Sequence, residues 1–182
     1  MANSIGLLEL RSVPPGLEAA DEMLDTADVD LIMATPICPG KFVVVVTGTV
    51  SAIKSAMAAG VRASGEFLLS SQVVDNVHPS LPGALMGTRE LPAIKDLGVI
   101  ETMTAITSIR AGDIAAKASN IDLMEIRIAR GLGGKGFLTF TGEISAVKSA
   151  LRAVETELKD TGDITSSALI AAPHPKLLAL WT

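Results

Sequence analysis

One side chain in this sequence can serve as a thiolate metal ligand, the single cysteine Cys38. It stands in Thr35-Pro36-Ile37-Cys38-Pro39-Gly40-Lys41-Phe42, between two prolines and just before a glycine. Two kinds of chemistry compete there. A free cysteine is commonly a small, buried and inert hydrophobe. A cysteine in a loop built from Pro and Gly is hard to bury and easy to present to a neighbour, and a proline after the ligand stiffens the turn without adding a competing N–H. A 4Fe-4S cluster normally takes four thiolates, so a chain with one cysteine offers at most a share of such a site. One cysteine also excludes an intrachain disulfide and fits a reducing compartment.

Other motifs invite chemistry and lose it on inspection. Gly131, Gly133 and Gly136 in Ala129-Arg130-Gly131-Leu132-Gly133-Gly134-Lys135-Gly136 match G-x-G-x-x-G. That fingerprint needs a helix after the glycines to meet a pyrophosphate, and here Phe137-Leu138-Thr139-Phe140 reads as a strand, so no dinucleotide is expected. Arg130 and Lys135 give the segment a positive character. His78 and His174 each precede a proline with no cysteine or carboxylate cluster nearby, which favours a role in a turn over a metal site. Glu9 and Glu101 are expected to satisfy backbone donors at an interface. No Ser-His-Asp spacing, phosphate loop or zinc motif is present, so no catalytic residue is assigned.

The elements that position these residues come from one unit written twice. Thr47-Gly48-Thr49-Val50-Ser51-Ala52-Ile53-Lys54-Ser55-Ala56-Met57 recurs as Thr141-Gly142-Glu143-Ile144-Ser145-Ala146-Val147-Lys148-Ser149-Ala150-Leu151, an offset of 94 residues. Upstream, Gly6-Leu7-Leu8-Glu9 answers Gly98-Val99-Ile100-Glu101 at an offset of 92, and downstream His78-Pro79-Ser80-Leu81 answers His174-Pro175-Lys176-Leu177 at 96. Each copy reads β-α-β-β-α-β. In the first, strands are expected at 5–10, 29–34, 42–46 and 67–77, with helices at 16–27, after the Pro14-Pro15 break, and 50–63. In the second, Ile144, Val147, Leu151, Val154 and Leu158 recur at spacings of 3, 4, 3 and 4, one apolar stripe facing a sheet. The pattern is an α/β (α+β) chain of two tandem ferredoxin-like domains, 1–90 with its linker and 91–182, joined through a Pro- and Gly-rich stretch near 79–95.

Composition narrows the partners. Of 182 residues 48% are hydrophobic but only 3% aromatic, and mean hydropathy is +0.45, so apolar surface is expected to be hidden between flat subunits. No stretch reaches the roughly 18 apolar residues of a membrane span. The net charge of −5, with no basic cluster, argues against nucleic acid. The start of the chain lacks a basic, apolar leader, and a cytoplasmic location is expected.

The repeated Gly-x-x-Glu strand, the segment from Asp113 to Asp122 and the Thr-Gly-x-x-Ser-Ala-x-Lys helix resemble the bacterial microcompartment (BMC) shell family. The likeness covers nearly the whole chain, twice. It implies a structural shell protein, not an enzyme, lying in a microcompartment shell in the cytoplasm beside other shell proteins. Two domains per chain then imply a homotrimer that imitates a hexamer, a pseudohexameric tile. Within the tandem class, the Cys38 loop is similar to that of the iron-sulfur trimeric shell proteins of propanediol-utilisation compartments. That likeness implies one 4Fe-4S cluster per trimer on the three-fold axis, ligated by Cys38, and either electron transfer across the shell with an encapsulated or external redox protein or reversible storage of a cluster. It makes Ile37, Cys38, Pro39 and Gly40, with Arg130, Gly131, Leu132, Gly133 and Gly134, the pore loops, and places Lys117 at the tile edge. The chain departs from the family pattern at Asp25, the counterpart of Lys117, and at Asn76 and Ala172, where an arginine is usual. The alternative for a duplicated ferredoxin-like fold is a small-molecule-binding regulator.

Overall fold

The structure is a computed structural model describing residues 4–88, 90, 93–128 and 131–179. The first repeat comprises β1 (Ser4–Leu10), α1 (Val13–Thr26), β2 (Val29–Ile37), β3 (Lys41–Gly48), α2 (Val50–Ser64) and β4 (Leu68–Val74). A short helix, α3 (Leu81–Met86), follows in the stretch expected to be only a linker. The second repeat comprises β5 (Asp96–Thr102), α4 (Ala105–Ala118), β6 (Asp122–Ile128), β7 (Gly136–Gly142), α5 (Ile144–Glu157) and β8 (Ile164–Ile170), and α6 (Pro175–Leu178) comes last.

Each repeat forms its own four-stranded sheet, ordered β2-β3-β1-β4 in the first and β6-β7-β5-β8 in the second. In both, the opening strand pairs antiparallel with two neighbours, and its register slips just after the glutamate, between Glu9 and Leu10 and between Glu101 and Thr102. The repeated threonines explain why Thr-Gly recurs. Thr47 Oγ1 donates to the carbonyl of Ser4 at 3.2 Å, and Thr141 Oγ1 donates to that of Asp96 at 2.9 Å, so each ties the end of the third strand to the start of the first. Thr49 then accepts the N–H of Ala52 at 3.3 Å as the cap of α2.

The first core joins Leu8, Leu10, Phe42, Val44 and Val46 of the sheet to Met23 of α1 and Ile53 and Met57 of α2. In the second repeat Ile100, Leu138, Phe140, Val147, Leu151 and Val154 are buried. By contacts the chain divides into two compact units, residues 1–77 with 104–106 and 128–134, and residues 78–103, 107–127 and 135–182.

In the first repeat three boundaries differ from expectation by about three residues. Helix α1 starts at Val13 because Pro14 and Pro15 fall in its first turn, where proline's missing N–H costs nothing. Strand β2 runs on through Pro36 to Ile37 because it is an edge strand, where proline is tolerated. The closing strand β4 is shorter than the expected 67–77.

Candidate functional site

Cys38 lies with Pro39 and Gly40 in the turn between β2 and β3, and all three are exposed. The N–H of Gly40 donates to the carbonyl of Ile37 at 3.0 Å and closes the turn. Gly40 has a φ of 84°, a left-handed conformation that favours glycine, and the Cys38-Pro39 peptide is cis. Ile37, expected in the loop, is instead the buried last residue of β2.

The loop before β7 lies alongside, within the first unit. A Cβ built on Gly134 would stand 3.0 Å from Lys41 Nζ and 3.4 Å from the Cys38 carbonyl oxygen. Gly131, Gly133 and Gly134 all have positive φ. A Cβ added at Gly40, Gly131 or Gly133 would meet nothing within 4 Å. The exposed turn is thus bordered by narrow backbone with open space around it. Leu132 is half-buried, and Arg130 lies outside the described residues. Gly136 opens strand β7, so no helix follows the glycines.

Beneath each turn lies a Glu–Lys pair. Lys41 Nζ donates to Glu9 Oε1 at 2.7 Å, and Lys135 Nζ to Glu101 Oε1 at 2.9 Å. The charge of Lys135 is therefore matched by Glu101. Glu9 is wholly buried and its Oε2 also accepts the backbone N–H of Ile106 at 3.3 Å, which is the backbone-donor role expected of it. Glu101 is one-third exposed. The sequence reading missed the partner Lys41. Its signal was the repeat itself, since Lys41 and Lys135 are counterparts, as are Glu9 and Glu101.

A family model, the BMC domain, matches residues 4–77 and again 96–173. The chain belongs to the BMC-domain family. It is 35% identical over 177 residues to the bacterial microcompartment shell protein PduT of Citrobacter freundii, covering 97% of this chain and 96% of that one. The crystal structure of a microcompartments protein from Desulfitobacterium hafniense DCB matches with a TM-score of 0.90 and 41% identity, over 97% of this chain and 98% of that one. The fused permuted hexameric shell protein MSM0275 of the RMM microcompartment shares the fold at a TM-score of 0.62 and 19% identity, over 87% and 84% of the two chains. This BMC-domain protein is accordingly a structural component of a microcompartment shell and not an enzyme.

The remaining candidates of the BMC-domain chain serve its architecture. His78 Nδ1 accepts the N–H of Ser80 at 3.3 Å, and His174 Nδ1 accepts that of Lys176 at 3.1 Å, so both histidines hold turns. Lys117 is partly exposed near the end of α4 and pairs with buried Asp113 one turn earlier. A cleft of about 260 Å³ in the second unit is lined by Lys95, Asp122, Thr141 and Glu143, among others. Its basic group is already engaged: the hydrogen bond that Lys95 Nζ donates to Glu143 Oε1, then the charge of that carboxylate, raises the Lys95 pKa above the usual lysine value. Among the described residues no group of three or more His, Cys, Asp or Glu side chains could hold a metal ion. No helix among them is long and apolar enough to cross a membrane.

Proposed function

We propose that three copies of this BMC-domain chain, with domains 1–90 and 91–182, close head to tail into a homotrimer. The resulting ring of six similar domains would tile the shell beside other shell proteins. Two features support closure. Buried Glu9 and one-third-exposed Glu101 occupy equivalent places, so the second repeat retains open surface where the first is covered. The fused permuted hexameric relative shares the fold. Lys117, braced by Asp113, would stand at the tile perimeter.

At the centre, three Cys38 thiolates would hold one 4Fe-4S cluster per trimer, with one iron left for water, a small ligand or a redox protein. The observation that carries this reading is that the only thiol is exposed in a turn bordered by glycines facing open space, which leaves room for two more copies. With one cysteine per chain the thiolates must come from several copies, and a three-fold ring supplies three of them. When bound, such a cluster supplies a one-electron couple, so the function read here is electron transfer across the shell. Pro39 and Gly40 would hold the thiolate outward, and the Glu9–Lys41 pair would anchor the start of β3 beneath it.

Anaerobic purification followed by iron and acid-labile sulfide analysis tests the reading. The expected content is about one cluster for every three chains. In Cys38→Ser protein iron and sulfide should fall to background while light scattering still reports a trimer, because a serine oxygen keeps the side chain's size but is a harder ligand. Unchanged iron in the variant, or about four irons per chain, would defeat the cluster; a monomer by light scattering would defeat the tile.

A further inference from the structure

The stretch between the repeats is not idle, and its docking site has a twin. Within the second unit, the backbone N–H of His78 donates to Asp113 Oδ1 of α4 at 2.8 Å. A Cβ placed on Gly112 would stand 3.2 Å from Leu81 Cδ1, so the side chain of Leu81 lies on the same helix. Leu81 and Ala84 of α3 are both buried. The segment that follows the first repeat's last strand therefore lies on the first helix of the second repeat. On α4 and on β6 after it, Ile109, Ala116 and Leu123 are 0%, 7% and 0% exposed.

Helix α1 is the counterpart of α4, and among the described residues no such segment is bonded to it. Leu17, Leu24 and Leu31, the equivalents of Ile109, Ala116 and Leu123, are 54%, 39% and 45% exposed. Asp21, the equivalent of Asp113, is exposed and makes no hydrogen bond or ion pair with a described residue. Around these leucines stand Glu18, Asp21, Glu22, Asp25, Asp28 and Asp30, all exposed, with no basic residue between Arg11 and Lys41. Three large apolar side chains left in water inside an acidic surface mark an interface.

The repeat also supplies the occupant. His174-Pro175-Lys176-Leu177 is the counterpart of His78-Pro79-Ser80-Leu81 and follows the second repeat's last strand in the same manner. It begins with the same turn, held by the same histidine atom. Where the first copy has Ser80 the second has Lys176, an exposed cation suited to an acidic helix.

We propose that the segment His174–Ala179 of one copy docks on α1 of the next, its His174 N–H bonding Asp21, Leu177 packing beside Leu17 and Leu24, and Lys176 facing the carboxylates. The contact repeats, between chains, the one that His78 and Leu81 make within the chain. It rests on the head-to-tail trimer, and it names the strap that fastens one protomer to its neighbour. Apolar burial supplies most of the stabilisation, and the charge match selects the partner.

A disulfide tests the geometry, because a hydrogen bond from the 174 backbone to the 21 side chain puts the two Cα atoms near the roughly 4.4–6.8 Å that a disulfide spans. Two chains, Asp21→Cys and His174→Cys, each with Cys38→Ser and one enlarged by a tag, are co-expressed and mildly oxidised. The expected result is a band of mixed dimer on a non-reducing gel that disappears with reductant and is missing when either chain is made alone. Light scattering on the same sample keeps the two ideas apart. A trimer without the mixed band overturns the strap and leaves the tile standing, whereas a monomer overturns both. A band from Asp21→Cys chains alone would also overturn it, since it would mean that α1 meets another α1. As a second measure, Lys176→Glu should raise the concentration at which trimers dissociate by about tenfold at low salt, with Asp25→Lys restoring most of it. No change in either variant would count against the charge match.

Discussion

Glu9 and Glu101 sit at equivalent positions of the opening strand, and each takes the ammonium of a lysine at the start of the third strand or just before it, yet one is wholly buried and the other is one-third exposed. The same divergence appears beneath them. Gly6 is overlain by Met57, whereas its counterpart Gly98 is overlain by the ring of Phe140. Backbone devices, by contrast, are retained in both repeats: the threonine tie to the opening strand, the slip after the glutamate and the histidine-held turn. Duplication thus kept what holds each sheet together by itself and relaxed what depends on surroundings.

Substitutions at paired positions would break or sharpen this contrast. Glu9→Ala leaves Lys41 and the Ile106 N–H without a buried acceptor and should cost about 3 kcal/mol, while Glu101→Ala should cost less than about 1 kcal/mol. Urea denaturation at one fixed chain concentration reads both, and equal losses would show that the burial difference has no energetic weight.

The glycine pair comes next. An added Cβ at Gly98 would stand 2.3 Å from a Phe140 ring carbon, and a ring packed in the core moves only as a whole, so Gly98→Ala should cost about 2 kcal/mol. At Gly6 the nearest atom, at 2.6 Å, is the sulfur of Met57, on a side chain with three rotatable bonds, and Gly6→Ala should cost under about 1 kcal/mol. Thermal unfolding of the two variants orders them, and the reverse order would contradict the packing described here.

The smallest effect is expected at the turns before the histidines. Asn76 and Ala172 are equivalent and both left-handed, with φ of 51° and 45°. Asparagine tolerates that region and alanine does not, so Ala172→Gly should stabilise by about 0.5 kcal/mol and Asn76→Gly should be near neutral. A loss of stability on Ala172→Gly would show that the alanine methyl contributes packing that its exposed position does not suggest.

Much of the architecture was legible because it is local. Alternating and 3.6-residue apolar patterns mark strands and helices wherever one face is buried, and a unit written twice checks each reading against its copy. Helix α3 escaped for the opposite reason: with Pro82 and Gly83 inside six residues it has little intrinsic preference for a helix, and it is held by burying Leu81 and Ala84. Lys135 read as a free positive charge because its partner, Glu101, lies far away along the chain.

The sequence by itself determined the order of elements, their duplication, the family and the place of the only thiol in a turn, since each of these depends on residue type, spacing or repetition. Only the tertiary structure decided that the glycine loop of residues 131–134 lies against the Cys38 turn, that Lys41 is engaged with Glu9 beneath it, and that the surface of α1 is left bare where that of α4 is covered. These are contacts between segments distant in sequence, and they are set by which surfaces remain to be buried once the local elements have formed.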